Sequence, residues 1–272
     1  MNTKVYKLIS IIYIVLIFLF LYIPIFVIAV YSFNMSKTDA VWAGFTLDWY
    51  RKLFDDSNVI IAFKNSLTIA VVSTIISSII GTVGAVGLYK YTFRGKSIVE
   101  GLLNITIVIP EIIMGISLLV YFAQLQVPFG IVTLVLSHAT FSIPFVLIVV
   151  KARLAGFDTS IEDAAMDLGA NRFQVFFTII LPLILPGILS GAMLAFVLSF
   201  DDVIINFFVS GPESTTLPIK IFSMLKFGLS PEINALCTVM LMITFIILII
   251  TQVIKVNKAK LHTDRALPPP EC

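Results

Sequence analysis

Apolar residues along this chain come in long unbroken runs, with neither the spacing of a surface helix nor the alternation of a half-buried strand. Six such runs stand out, at approximately 8–33, 65–89, 98–124, 130–150, 182–200 and 234–254. Each comes close to or exceeds the ~20 apolar residues that carry a helix across a bilayer. The pattern predicts an all-α, polytopic membrane protein with about six transmembrane helices. Polar residues gather in the intervals, above all at about 34–64, at about 210–230 and over Asp163–Pro182.

Composition agrees with this reading. The chain has 272 residues, 59% hydrophobic and only 12% charged, with a mean hydropathy of +1.05. Soluble domains carry about 25% charged residues, so no water-facing globular surface can be built from this sequence. The net charge of +2 gives no footprint for nucleic acid. Lys4 and Lys7 precede the first run as they would in a signal peptide. That run, at about 25 residues, outlasts a signal core of 7–15, and no small-residue cleavage site follows. It is expected to be a retained anchor.

The basic residues orient the spans. With both termini in the cytoplasm, the inner set is Lys4, Lys7, Lys90, Arg94, Lys96, Lys151, Arg153, Arg172, Lys255, Lys258, Lys260 and Arg265. The outer set is Lys37, Arg51, Lys52, Lys64, Lys220 and Lys226. Twelve against six favours both ends inside. Asp163–Pro182 is then cytoplasmic, and the long loop with Trp42 and Trp49 faces outward.

Several residues carry no special chemistry. Cys237 falls in the last span and Cys272 ends the chain, so neither a disulfide nor a metal site is expected. His138, in an apolar run, is expected to be buried and hydrogen-bonded. Gly81, Gly84 and Gly87 lack the G-x-G-x-x-G order of a dinucleotide turn and lie inside an apolar run. Small residues at that spacing let membrane helices approach closely. No GxxxxGK[ST] phosphate loop is present, so ATP hydrolysis by that route falls to another subunit. The chain is expected not to be an enzyme. The stretch 267–272, Leu-Pro-Pro-Pro-Glu-Cys, has no packing pattern and reads as a disordered end or a cloning remnant.

Asp163–Pro182 can form helix but cannot sit in a membrane. Glu162 and Asp163 stand near the start of a short helix, where the macrodipole favours negative charge. Ala164 and Ala165 add little bulk and suit a close seat against another protein. Gly169 can take positive φ and end the helix. Pro182 is expected to open the fifth span, where its missing N–H costs nothing.

The same residues resemble the cytoplasmic signature of importer-type ABC permeases: EAA, three residues, Gly, nine residues, then I-x-L-P. Asp163-Ala164-Ala165 takes the EAA place, Gly169 has the required spacing, and Ile179, Leu181 and Pro182 complete it. Asp163 shortens the usual glutamate and Glu162 lies one position early, so either carboxylate is a candidate for the coupling role. Phe93-Arg94-Gly95-Lys96, Leu168-Gly169-Ala170, Ser199-Phe200-Asp201-Asp202, Gly211-Pro212, 217–221 and 230–236 resemble the spermidine/putrescine branch, the C-type subunit most of all. The likeness runs from about Tyr22 to about Gln252.

The resemblance implies a type I ABC importer permease fold in one domain, 1–266, with a cytoplasmic coupling segment at 158–181. It implies a bacterial inner-membrane location and docking of Glu162, Asp163, Ala164, Ala165 and Gly169 on an ATPase. Implied partners are a homologous B-type permease, two ATPase subunits and a polyamine-binding protein, with membrane lipid around them. No cofactor is expected in this chain, since ATP and Mg would be bound by the ATPases. ATP-driven closure of the ATPases would then rock the pore between inward-open and outward-open.

Charge within the spans bears on the cargo. Glu100 lies at the inner edge of the third span; Glu111 follows Pro110 deeper in it; Asp201 and Asp202 follow the fifth. An uncompensated carboxylate at a helix centre costs about 2.5–3.5 kcal/mol on insertion scales. The three deeper acids therefore need water, a partner or a cation, and together they point to a cationic passenger. At 1.5 Å per residue, Asp201 lies roughly 28 Å beyond Pro182 and Glu111 about 20 Å beyond the start of its helix. Both belong to the outer half of a ~30 Å core. The candidate substrate-binding set is Asp201, Asp202, Glu111 and Phe200, the phenyl ring offering methylene or cation–π contact. Asp201 and Asp202 are expected to weigh more in transport than Glu111. Two alternatives stay open for the acids: a solvated span end for Asp201 and Asp202, and a helix partner for Glu111. Two others stay open for the function, an ABC permease for another solute such as thiamine or ferric iron, and an ion-coupled secondary carrier. Spermidine and putrescine are not ranked by the sequence.

Overall fold

The computed structural model describes residues 3–36, 41–156, 158, 160–226, 228 and 230–266, with side chains placed only between 6 and 249. The stretch 267–272 lies outside them. The helices are α1 (Thr3–Tyr31), α2 (Asp48–Asp55), α3 (Ser57–Lys90), α4 (Lys96–Val108), α5 (Glu111–Gln124) and α6 (Ile131–Leu154). They continue with α7 (Ser160–Asp167), α8 (Arg172–Val175), a π turn (Phe176–Ile180), α9 (Leu181–Phe200), α10 (Ile204–Val209), α11 (Leu217–Leu225) and α12 (Pro231–Ala266). Among the described residues no strand occurs beyond an isolated bridge between Asn34 and Phe45.

Five helical stretches are long and apolar enough to cross a membrane: Tyr6–Tyr31, Ser57–Lys90, Ile131–Leu154, Arg172–Phe200 and Pro231–Ile249. The sixth predicted span is different. It breaks into α4 and α5, which meet at 108°. Pro110 causes the break, because its ring disfavours helical geometry for the residue before it. Ile109 is accordingly extended at φ −62°, ψ 129°. The 20 Å estimate for Glu111 holds as the length of α4; the expected straight continuation beyond it does not.

Two other boundaries differ from expectation. The helix expected from 65 starts at Ser57, so the loop expected over 34–64 contains α2 and two turns of α3. Pro182 does not open a span, because the helical run begins at Arg172. Pro182 cannot donate to Thr178, and the preceding turn widens to π spacing, with the Leu181 N–H donating to the Phe176 carbonyl.

The chain forms two compact units, Met1–Ile60 with Lys220–Phe245, and Ile61–Ile219 with the stretch from Ile246 onward. In the first, α1 is exposed along most of its length, as a lipid-facing helix would be. The segment after it is organised by Asn34, which is fully buried. Its side chain accepts from Ala43 N at 2.9 Å and donates to Val41 O at 2.9 Å, while its carbonyl accepts from Trp49 Nε1 at 2.8 Å. Lys52 sits over the Trp49 ring at 4.5 Å.

The second unit is built on close helix contacts. A Cβ on Gly81 would come within 2.9 Å of Val146, and one on Gly84 within 3.0 Å of Leu147, so α3 lies directly on α6. Gly187 and Gly191 seat α9 on α6 in the same manner, against Arg153 and Val146. Gly87, third in the predicted series, faces open space. Val146, Val150, Leu154, Ile180, Ile184 and Ala195 form the core between these helices.

Candidate functional site

At the end of α9 the helix stops and the polarity changes. Phe200 is the last helical residue, Asp201 is exposed, and Asp202 is 8% exposed. The apolar run then resumes as α10, with Ile205 and Val209 fully buried. The acids therefore occupy a break between two packed helices. Asp202 is a built-in part of that break and Asp201 is its open face.

Asp202 caps the following helix. Its Oδ2 accepts from the Asn206 N–H at 2.9 Å and its Oδ1 from the Ile205 N–H at 3.3 Å. A carboxylate at a helix start satisfies orphan N–H groups and matches the positive end of the dipole. The Asn206 side chain donates to the Asp202 carbonyl at 2.5 Å, and its Oδ1 meets His138 Nε2 at 3.1 Å. His138 Nε2 lies 3.8 Å from Asp202 Oδ2. His138 is fully buried and hydrogen-bonded, which agrees with the sequence reading. The group ties α6 to α10.

Glu111 reaches the same neighbourhood from α5. A Cβ on Gly115, one turn further along, would come within 2.7 Å of the Phe208 ring and 3.5 Å of the Ile204 carbonyl, so α5 lies on α10. Asp202 is within electrostatic range of Glu111. Glu111 is half-buried at the first position of α5. The two acids sit at the heads of two half-helices, α5 and α10. The positive end of each helix dipole stabilises the carboxylate at its head.

Phe200 does not offer its ring to open space. It is 1% exposed, stacked on Phe196 at 5.6 Å and edge-on to Phe63 at 6.4 Å. Adjacency to Asp201 in sequence made it a candidate, but one residue along a helix turns a side chain by about 100°. Phe196 and Phe63 are only half-buried and were not singled out by sequence. Nor was Ser199, whose hydroxyl meets that of Ser73 at 3.1 Å and joins α9 to α3.

The second region is α7. Asp158 precedes it and accepts from the Ser160 N–H at 2.9 Å. The Ser160 hydrogen bonds hold the Asp158 carboxyl below its usual range. At the other end Gly169 has φ +89°. Its N–H donates to Met166 O at 2.9 Å, and Ala170 N–H donates to Ala165 O at 3.1 Å. This pair of bonds is the Schellman closure, in which glycine carries the left-handed residue.

The structure separates the two acids and the two alanines of α7. Glu162 is 8% exposed, and its Oε2 lies 2.5 Å from Lys90 Nζ at the end of α3. Asp163 is exposed. Ala165 packs on the chain's own core, whereas Ala164 is exposed. Leu168, at 91% exposure, projects beside them. The face open to another protein thus comprises Asp163, Ala164, Leu168 and Gly169. Among the described residues no cluster of three or more His, Cys, Asp or Glu suited to a metal is found.

Comparison with known proteins shows the family and the fold. The chain is 44% identical over 247 residues to the spermidine/putrescine transport system permease protein PotC of Escherichia coli K12, covering 91% of this chain and 94% of that protein. It is 42% identical over 231 residues to the putrescine transport system permease protein PotI of the same organism, covering 82% of each. Among solved structures, a bacterial ABC transporter involved in import of the acidic polysaccharide alginate superimposes with a TM-score of 0.73 at 16% identity, over 92% of this chain and 96% of that one. The MetNI methionine ABC transporter, in inward-facing form, gives 0.63 at 17% identity, over 78% and 98%. These two likenesses show the fold, a type I ABC importer permease. Residues 73–258 match the family described as the inner membrane component of binding-protein-dependent transport systems, and with that match and the identity to PotC and PotI the chain belongs to this family.

Proposed function

We propose that this chain is a pore-forming permease subunit of an ATP-driven polyamine importer of the bacterial inner membrane. It would pair with a second, homologous permease, two ATPase subunits that bind ATP and Mg, and a polyamine-binding protein. The observation that carries the reading is the approach of Glu111, at the head of α5, to Asp202, at the head of α10, with Asp201 exposed next to Asp202 in the chain. Relatives named for polyamine transport support it along nearly the full chain. Asp201 and Glu111 receive ammonium groups, Asp202 holds the start of α10, and the half-buried Phe196 and Phe63, packed on Phe200, form the apolar wall. Uptake of radiolabelled spermidine and putrescine by the reconstituted complex, with each polyamine competing, tests the reading and ranks the two. Uptake that persists without an ATPase but collapses with the proton gradient would replace it with an ion-coupled carrier.

Coupling runs through α7. Asp163, Ala164, Leu168 and Gly169 dock on the ATPase, while Glu162 and Ala165 hold the helix to its own subunit. Gly169→Asp places a branched side chain at φ +89°, where L-residues pay about 1–2 kcal/mol, and adds a charge to the docking face. Uptake is expected to be lost with the subunit still inserted. Normal transport by this variant would remove α7 from the coupling pathway.

Both termini are placed in the cytoplasm on the Lys and Arg bias. A cysteine at Met166 should then react only with reagents that enter the cell, and one at Phe45 with impermeant reagents outside. Both side chains are exposed. The reverse labelling pattern would invert the chain in the membrane.

A further inference from the structure

The ion pair between Lys90 and Glu162 has a consequence beyond holding α7. The chain itself ties α7 to its neighbours in sequence, α6 on one side and α8 on the other. Lys90 adds a link to α3, whose last residue it is. Glu162 is nearly buried and Lys90 about one-quarter exposed, so the pair is shielded from most solvent screening. Ala165, one turn on from Glu162, packs on the core cluster that includes Leu88 of α3, with Tyr89 alongside. The ion pair is therefore the direct link between α7 and the end of α3, and Ala165 holds the same helix on the core to which α3 contributes Ala85 and Leu88.

The opposite half of α3 touches the candidate cation site. Ser73 meets Ser199 at 3.1 Å, and Phe63 lies edge-on to Phe200, the residue before Asp201. From Phe63 to Lys90 is 28 residues of continuous helix with no proline, roughly 40 Å long. A packed helix moves as a body, because a close-packed interior does not deform smoothly.

We propose that Lys90–Glu162 is a strut through which movement of α7 drives α3, and that α3 carries it to the α9–α10 break at Ser199 and Phe200. The pair is a positioning device, distinct from the face that docks on the ATPase. The inference rests on the proposed coupling role of α7.

Charge reversal tests it in the assembled transporter. Lys90→Glu and Glu162→Lys alone each place like charges together; the double variant restores an opposite pair. A Leu168→Cys substitution reports docking by cross-linking to the ATPase. Each single variant is expected to keep the cross-link and hydrolyse ATP, with uptake per ATP lowered about tenfold, within the usual range of coupling between sites. The double variant should recover most of that loss, and Lys90→Arg should transport like the parent. Single variants that transport normally, or a double variant no better than either single at equal cross-linking, would overturn the strut. A parent chain that gives no Leu168→Cys cross-link would instead overturn the docking of α7 itself, and the strut with it.

Discussion

Polyamine uptake in an Asp201→Asn, Glu111→Gln double variant is expected to fall about a hundredfold while the transporter still assembles. A charge pair at about 4 Å and an effective dielectric near 20 is worth about 4 kcal/mol before desolvation. Asp201 is exposed and Glu111 half-buried, so solvent leaves each with only about a third of that. The remainder is about 1.4 kcal/mol per carboxylate, or about tenfold each. Asp202→Asn should behave differently. The carboxylate accepts two backbone N–H groups at the head of α10, and an amide turns one acceptor into a donor. Loss of such a cap costs about 1–2 kcal/mol, so reduced accumulation is expected before any change in selectivity. Uptake and membrane abundance, measured side by side, separate the two. Wild-type uptake in the Asp201, Glu111 double variant at unchanged abundance would leave the cation assignment resting on the relatives alone.

The largest effect on stability is expected at Gly211. A Cβ there would overlap the Phe129 carbonyl oxygen and come within 2.7 Å of its carbon. The obstacle is backbone on both sides, so no side chain can swing away. Gly211 N–H donates to Ser214 Oγ at 2.7 Å, and Thr133 Oγ1 reaches Val209 O at 3.3 Å. The start of α6 and the end of α10 are thus locked together at this point. Gly211→Ala should cost about 3 kcal/mol, at the upper end for overpacking, and lower the melting temperature and yield of the purified complex. A variant as stable as the parent would mean that the two backbones can part freely.

Sequence and structure agree where one physical effect dominates. The apolar runs locate α1, α6, α9 and the apolar part of α12 because hydrocarbon demands a helix of fixed minimum length. Gly169 was legible as a helix end because few residues besides glycine take φ near +89° readily. Hydropathy could not reveal the break at Pro110, because two bent half-helices and one straight span have the same apolar content. Pro110 itself was the available signal. Nor could charge alone divide Asp201 from Asp202 or Glu162 from Asp163. Each pair is adjacent in sequence; consecutive positions of α7 point about 100° apart, and Asp202 lies past the end of α9 where the chain turns, so one acid turns inward to cap or pair while its neighbour stays open. Phe63, Ser73 and Lys90 were missed because their importance lies in partners more than a hundred residues away in two cases, Ser199 and Phe200, and 72 residues away in the third.

The π turn at Phe176–Ile180 bears on how the chain tolerates change in length. It holds one more residue than an α turn would, directly between Gly169 and Pro182. Deleting a residue there would let the helix wind regularly and would rotate everything before it by about 100° relative to everything after. Gly187 and Gly191 would keep their seats on α6 only if α7 swung off Lys90, or α7 would stay and the glycines would leave Arg153 and Val146. The number of residues between the turn glycine and the proline therefore sets the phase of α9 against α7.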